Sequence, residues 1–231
     1  MTCRRLLFAA FACLCSTAAP ASAIQAPPIP AAATAVTPWD SEFARFASSD
    51  AADPPPAGAV LFVGSSSIRL WNDLEDQFKG QRLILKRGFG GSQLSDCVQH
   101  LNRLVVRYRP RTVLVYAGDN DLAAGATPME VTQRFVAFVR GVHSALPETT
   151  IAYISIKPSP SRATLLPQIR AANASIREYI TGNDKLAYID VFTPMVDASG
   201  HPRRELFITD ALHLNSAGYE LWRGVIAPYL R

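Results

Sequence analysis

The 231-residue chain is short of charge, short of cysteine and free of long apolar runs. Charged residues make up 18% of it, against the usual quarter. No apolar stretch reaches the ~20 residues that span a bilayer, which excludes a polytopic membrane protein. There are four cysteines, and three of them (Cys3, Cys13, Cys15) lie in the first fifteen residues. No aromatic side chains interleave with the densest basic set (Arg103, Arg107, Arg109, Arg111) as a base-stacking platform requires, so no nucleic-acid partner is expected. No phosphate loop is present, and Gly88-Phe89-Gly90-Gly91 fails as a dinucleotide fingerprint because its third glycine position is Gln93. No Gly-x-Ser-x-Gly elbow follows a strand either: Ile68 stands two residues after Ser66.

Residues 1–23 read as a signal peptide. Arg4 and Arg5 start it, Leu6 to Leu14 form a short apolar stretch, and Ala21-Ser22-Ala23 is a small-x-small cleavage site. An exported protein, periplasmic or secreted, is expected. A lipoprotein would need acylation of Cys13 or Cys15, and the residues before each suit that poorly. Without the leader, 21 basic residues face 19 acidic ones, for a net charge of +2 rather than +4. Cys97 alone remains, so no intramolecular disulfide can form.

Apolar residues make up 48% of the chain, enough for one sizeable core. Residues 24–57 read as an Ala/Pro-rich linker carrying a short docking helix over about 39–47. Trp39, Phe43 and Phe46 fall there at helical spacing, and Pro54-Pro55-Pro56 ends it. Such a docked helix suits a monomer, and nothing in the pattern excludes a dimer. The domain proper spans 58–231. Strands are expected at 59–63, 83–86, 112–116, 151–156 and 185–191, and helices at 67–79, 93–108, 128–145, 165–181 and 215–229. Pro128 after Thr127 marks a capped helix start. Strict strand–helix alternation predicts parallel strands in a three-layer α/β/α sandwich.

In such sheets ligands sit beyond the carboxyl ends of the strands. The segments found there are Gly64-Ser65-Ser66-Ser67, Gly88-Phe89-Gly90-Gly91, Gly118-Asp119-Asn120-Asp121, Lys157–Arg162 and Asp210-Ala211-Leu212-His213. Taken singly, each has a plain structural reading as a turn or a helix cap. Taken together they bring a serine, a glycine-rich backbone, a side-chain amide and an Asp/His pair to one rim. Acyl transfer uses those parts. Asp119 and Asp121 read as turn residues, since no His or Cys cluster joins them to make a metal centre.

Four blocks in this order and spacing resemble the SGNH/GDSL hydrolases, across residues 39–231. The resemblance implies a flavodoxin-like, five-stranded parallel sheet of order 2-1-3-4-5 and ester hydrolysis without a cofactor. It implies Ser66 as nucleophile, His213 as base and Asp210 as its partner. The Ser66 and Gly91 N–H groups and the Asn120 amide would form the oxyanion hole. The family's Asp before the nucleophile is Ser65 here, which leaves Ser65 and Ser67 as alternatives in register. Short connections without an evident lid suggest short-chain, acetyl-type esters or acylated saccharides. A lysophospholipase, a thioesterase and an O-acyltransferase are the alternatives. Lys157 or Arg162 is expected to touch the substrate. His201, in a Gly-His-Pro turn, is a lesser candidate for the site, and Cys97 reads as a buried, inert thiol.

Overall fold

The computed structural model describes residues 37–80 and 83–230. The expected leader and residues 24–36 of the expected linker lie outside the described residues.

Helix α1 runs from Asp40 to Ala52, five residues past the expected end. Its apolar residues, Phe43 and Phe46, are buried, but its last turn is anchored by charge. Buried Asp50 accepts hydrogen bonds from the Arg87 guanidinium and, at 2.7 Å, from the Tyr108 hydroxyl. Hydrophobic periodicity does not register an attachment of this kind. The three prolines after Asp53 keep the chain from continuing as helix.

Five strands follow: β1 (Val60–Gly64), β2 (Ile84–Gly88), β3 (Thr112–Tyr116), β4 (Thr150–Ile154) and β5 (Leu186–Ile189). They form one parallel sheet in the order β2-β1-β3-β4-β5. Val60 lies between Ile84 and Thr112, so β1 is flanked by β2 on one side and β3 on the other. The side chains alternate between two faces, as a strand requires. Leu61, Val63, Val113 and Val115 enter one core with Phe43, Phe135, Phe138 and Ile176. Val60, Phe62, Leu114 and Tyr116 enter the other with Trp71, Phe78, Tyr219 and Trp222. This is the expected three-layer sandwich.

The helices are α2 (Ser66–Arg69), α3 (Leu74–Gln77), α4 (Leu94–Gln99), α5 (Leu101–Leu104), α6 (Asp119–Ala123), α7 (Pro128–Ala145), α8 (Leu166–Ile180) and α9 (Ser216–Ile226). The helix expected at 67–79 is broken in two, the one expected at 93–108 is broken into α4, α5 and a 3-10 turn at Val106–Tyr108, and α6 is an addition. At the first break, buried Trp71 leaves the helical path and its carbonyl accepts from the Lys86 ammonium at 2.9 Å. Helix α7 starts as expected: Thr127 and Glu130 cap each other's backbone N–H groups.

Strands β4 and β5 are shorter than expected because side chains take over their last backbone bonds. Asn173 brackets Ile156, accepting from its N–H at 2.8 Å and donating to its carbonyl at 2.9 Å. The Ser155 hydroxyl accepts from the N–H groups of Val191 and Phe192.

Close packing at the strand ends depends on two glycines: Gly88 leaves room for helix α2, and Gly64 leaves room for the neighbouring strand β3. A Cβ on Gly64 would stand 1.9 Å from the Tyr116 carbonyl oxygen, and one on Gly88 would stand 2.3 Å from the Arg69 nitrogen. Gly224 in α9, by contrast, has open space around it. We therefore expect Gly88→Ala to destabilise the protein by about 1–3 kcal/mol, towards the upper end because the colliding atoms are backbone. Gly224→Ala should stabilise it by about 0.5–1 kcal/mol. Urea unfolding of both variants checks the pair of signs.

Candidate active site

The carboxyl end of β1 leads through Gly64 and Ser65 to Ser66, the first residue of α2. The Ser66 hydroxyl lies 2.9 Å from Nε2 of His213. Nδ1 of the same ring lies 2.6 Å from the Asp210 carboxylate. The other carboxylate oxygen accepts the Leu212 N–H at 2.8 Å and the His213 N–H at 2.9 Å. Burial opposes ionisation of Asp210, but those N–H groups and the imidazole outweigh it and bring its pKa down to about 2. Asp210 is therefore an anion throughout the neutral range, able to hold the ring in one orientation. The turn between them passes through Ala211 at φ 58°, a left-handed conformation that lets Asp210 reach a ring three residues ahead. Three backbone bonds hold this turn: Ser161 N–H to the Ala211 carbonyl, Ala211 N–H to the Ile208 carbonyl, and Ile208 N–H to the His213 carbonyl.

Of the three consecutive serines, Ser65 and Ser67 are buried and their hydroxyls have no partner. Ser66 alone is both accessible and bonded to the imidazole. Strand alternation makes this distinction only once the helix is in place.

The neighbours of β1 bring the other expected residues to the same rim. After β2 the loop 89–92 begins beside Ser66, with the Phe89 N–H donating to the Gly64 carbonyl at 2.9 Å. Gly91 in that loop is exposed and has φ 75°. After β3 comes Asn120, in the first turn of α6. Its Nδ2 donates to the Ser92 carbonyl at 3.0 Å, and its Oδ1 accepts from Arg162 at 2.8 Å. The amide orientation is thus set from both ends, and one N–H of Nδ2 remains available.

Lys157 requires a correction. Its side chain is 1% exposed, and its ammonium donates to Asp119 and to the Tyr116 hydroxyl, each at 3.0 Å. It lies beneath the site and cannot touch a substrate. Arg162 is closer to the surface, but its guanidinium is directed inward, to Asn120 and, at 3.2 Å, to Asp119.

The acids flanking Asn120 are buried anchors as well as members of a turn, a role the sequence pattern missed. Asp119 is opposed by burial, yet Lys157, Arg162 and the Tyr116 hydroxyl hold its carboxyl below the usual range. Asp121 is fully buried. It accepts the Leu94 N–H at the start of α4, at 3.0 Å, and pairs with Arg134 of α7 at 2.7 Å. Burial nonetheless draws its pKa upward, against those bonds. The one signal in the sequence was two carboxylates in a single turn of a charge-poor chain. Of their charged partners, Arg134 lies 13 residues away, Lys157 38 and Arg162 further still.

The remaining candidates stand apart from this cluster. His201 is exposed beside Asp197. Cys97 is buried, and burial together with Asp121 pushes its thiol upward, away from the reactive thiolate. Among the described residues no group of three or more His, Cys, Asp or Glu side chains could hold a metal ion.

A parallel sheet of order β2-β1-β3-β4-β5 flanked by helices is the SGNH-hydrolase fold, and at its carboxyl rim a serine, a histidine and an aspartate are linked. Residues 58–221 match the GDSL-like Lipase/Acylhydrolase family, and the chain belongs to that family, which makes it a carboxylic ester hydrolase. Solved structures share the fold. A Streptococcus pneumonia protein whose name refers to platelet activating factor superposes with a TM-score of 0.73 at 22% identity, over 83% of this chain and 92% of its own. A GDSL-like lipase from Bacteroides thetaiotaomicron gives 0.69 at 21%, over 81% and 96%. A carbohydrate esterase family 3 protein from Talaromyces cellulolyticus gives 0.61 at 18%, over 75% and 96%. A search of curated proteins finds no match.

Removing the Asp119 charge should strand the Lys157 ammonium. We expect Asp119→Asn to cost about 3–5 kcal/mol at neutral pH, as for other broken buried pairs. Asp119→Asn/Lys157→Met should recover a large part of it. The native pKa of Asp119 is depressed, so its contribution is full above the unfolded value of 3.8 and is lost as pH falls below it. The difference between wild type and Asp119→Asn should therefore shrink as urea titrations are taken from neutral pH to below that value.

Proposed function

We propose that the protein is an exported serine esterase that cleaves short-chain, acetyl-type esters or acylated saccharides. The observation that carries the reading is the continuous relay from the Ser66 hydroxyl through His213 to Asp210, at 2.9 and 2.6 Å. In this mechanism His213 takes the hydroxyl proton as Ser66 attacks the ester carbonyl. The imidazolium, stabilised by Asp210, returns that proton to the leaving alcohol. Water then repeats the sequence on the acyl-serine. The developing oxyanion accepts from three donors. Two are the Ser66 N–H, which at the first helical position has no partner within its helix, and the Gly91 N–H. The third is the free N–H of Asn120. Arg162 fixes that amide in the donating orientation, so its role is to position a catalytic group rather than to grip substrate. No step requires a cofactor.

Support for small acyl groups comes from the openness of the relay: the Asp210 side chain is 41% exposed and that of His213 22%. A long acyl chain would find little apolar cover beside such a site. The similarity to a carbohydrate esterase is compatible with an acylated saccharide as the ester. The leader at 1–23 supports a periplasmic or secreted location, where such esters occur outside the membrane.

Assay of the chain from Ile24 on p-nitrophenyl esters tests the reading. Turnover should be highest on acetate and fall towards palmitate. Ser66→Ala should lose more than about 10³-fold in kcat. Activity rising steadily to palmitate, or a preference for lysophospholipid or acyl thioester, would replace the substrate class. Faster acyl transfer to a sugar than to water would identify an acyltransferase.

A further inference from the structure

The loop that carries Gly91 is held in place through its carbonyl groups. The Phe89 carbonyl accepts from the Ser92 hydroxyl at 2.9 Å, and the Ser92 carbonyl accepts from Asn120. The Gly90 carbonyl accepts from the indole N–H of Trp39 at 2.7 Å. This last contact comes from outside the loop's own neighbourhood, and from outside the family-matched segment 58–221.

The Gly90 carbonyl and the Gly91 N–H belong to one peptide unit. That unit is planar and trans, so its C=O and N–H point in opposite directions. Fixing the carbonyl at one side therefore fixes the direction of the N–H at the other. A donor on the carbonyl also polarises the unit and strengthens its N–H as a donor. Gly91, at φ 75°, leaves the unit free to swing unless something holds it.

Trp39 is itself well held. Its ring packs edge-on against Phe89, with centroids 5.3 Å apart, and against His100 at 6.0 Å. Its carbonyl accepts the Phe43 N–H within the first turn of α1. Just upstream, Thr37 donates from its N–H and its hydroxyl to Asp40. The far end of α1 is tied to β2 through Asp50 and Arg87. Both ends of the helix thus grip β2 or the loop that follows it. Beside Gly90 also lies the Arg69 guanidinium, whose Nε would stand 2.7 Å from a Cβ placed there.

We propose that Trp39 is a positioning residue for ester hydrolysis: its indole N–H, bound to the Gly90 carbonyl, aims the Gly91 N–H at the oxyanion. The proposal rests on the assignment of Gly91 as an oxyanion donor. It gives α1 a part in transition-state binding in addition to its part in packing.

The test is Trp39→Phe, which keeps an aromatic ring and removes the donor. Loss of a whole oxyanion donor lowers turnover ~10²–10³-fold. A misdirected one should cost part of that, and we expect kcat on p-nitrophenyl acetate to fall about tenfold, with KM within about twofold. The inhibition constant of an alkylboronic acid, which forms a tetrahedral adduct on the serine, should weaken by a similar factor. Phe46→Leu serves as the control: it loosens the same helix without touching the indole and should lower the melting temperature while leaving kcat unchanged. If Trp39→Phe does not fold, a benzothiophene side chain at position 39 preserves the shape of the ring and removes only the N–H. Unchanged kcat, or a loss that Phe46→Leu reproduces, would overturn the proposal. Turnover surviving in Ser66→Ala would instead overturn the assignment of the site, and the Trp39 proposal with it.

Discussion

Helix α2 rests directly on the ends of β1 and β2, and the geometry of the rim follows from that close approach. Gly88 permits it by carrying no side chain where the Arg69 backbone passes, and Gly64 lets β1 lie against the Tyr116 carbonyl of β3. The approach lifts Ser66 to the surface while Ser65 and Ser67 go under it. It also sets the loop 89–92 beside the serine, since β2 runs in register with β1. Tyr219 of α9 then ties its own helix to the base of α2, donating to the Ser67 carbonyl at 3.0 Å. Helix α9 follows the turn that bears His213, so the serine and the histidine bonded to it are both referenced to the same short helix.

Around this contact the protein has placed several of its few charges in buried positions. Asp119 and Asp121 flank Asn120, Asp119 also accepting the Asn120 N–H at 3.0 Å, and they collect different partners. Asp119 draws in Lys157 and Arg162 from the segment after β4, and Asp121 draws in Arg134 from α7 and the start of α4. Such pairs add little net stability compared with apolar packing, because desolvation offsets much of their attraction. Their value here is geometric. They fix the position and orientation of a polar amide at the rim.

Helix α1 belongs to the same scheme. It is anchored to β2 by a charged pair at one end and by an indole hydrogen bond at the other. Two apolar contacts could have docked it, but they would not have placed a donor on the Gly90 carbonyl.

The sequence by itself determined the class of fold, the alternation of elements and the segments that meet at the rim. These depend on local patterns: β-branched runs bounded by turn residues, a Thr-x-x-Glu cap before α7, and four short blocks in order. Tertiary structure decided what depends on distant partners. It gave Ser66 alone of three adjacent serines a histidine partner, buried Lys157 against an acid 38 residues away, and turned Asp119 and Asp121 from turn residues into anchors. It also ended β4 and β5 early, by letting Asn173 and Ser155 replace strand bonds. Hydrophobic periodicity reports which face of an element is buried. It carries no information on which charge will be neutralised there, because that is set by the side chain folded against it.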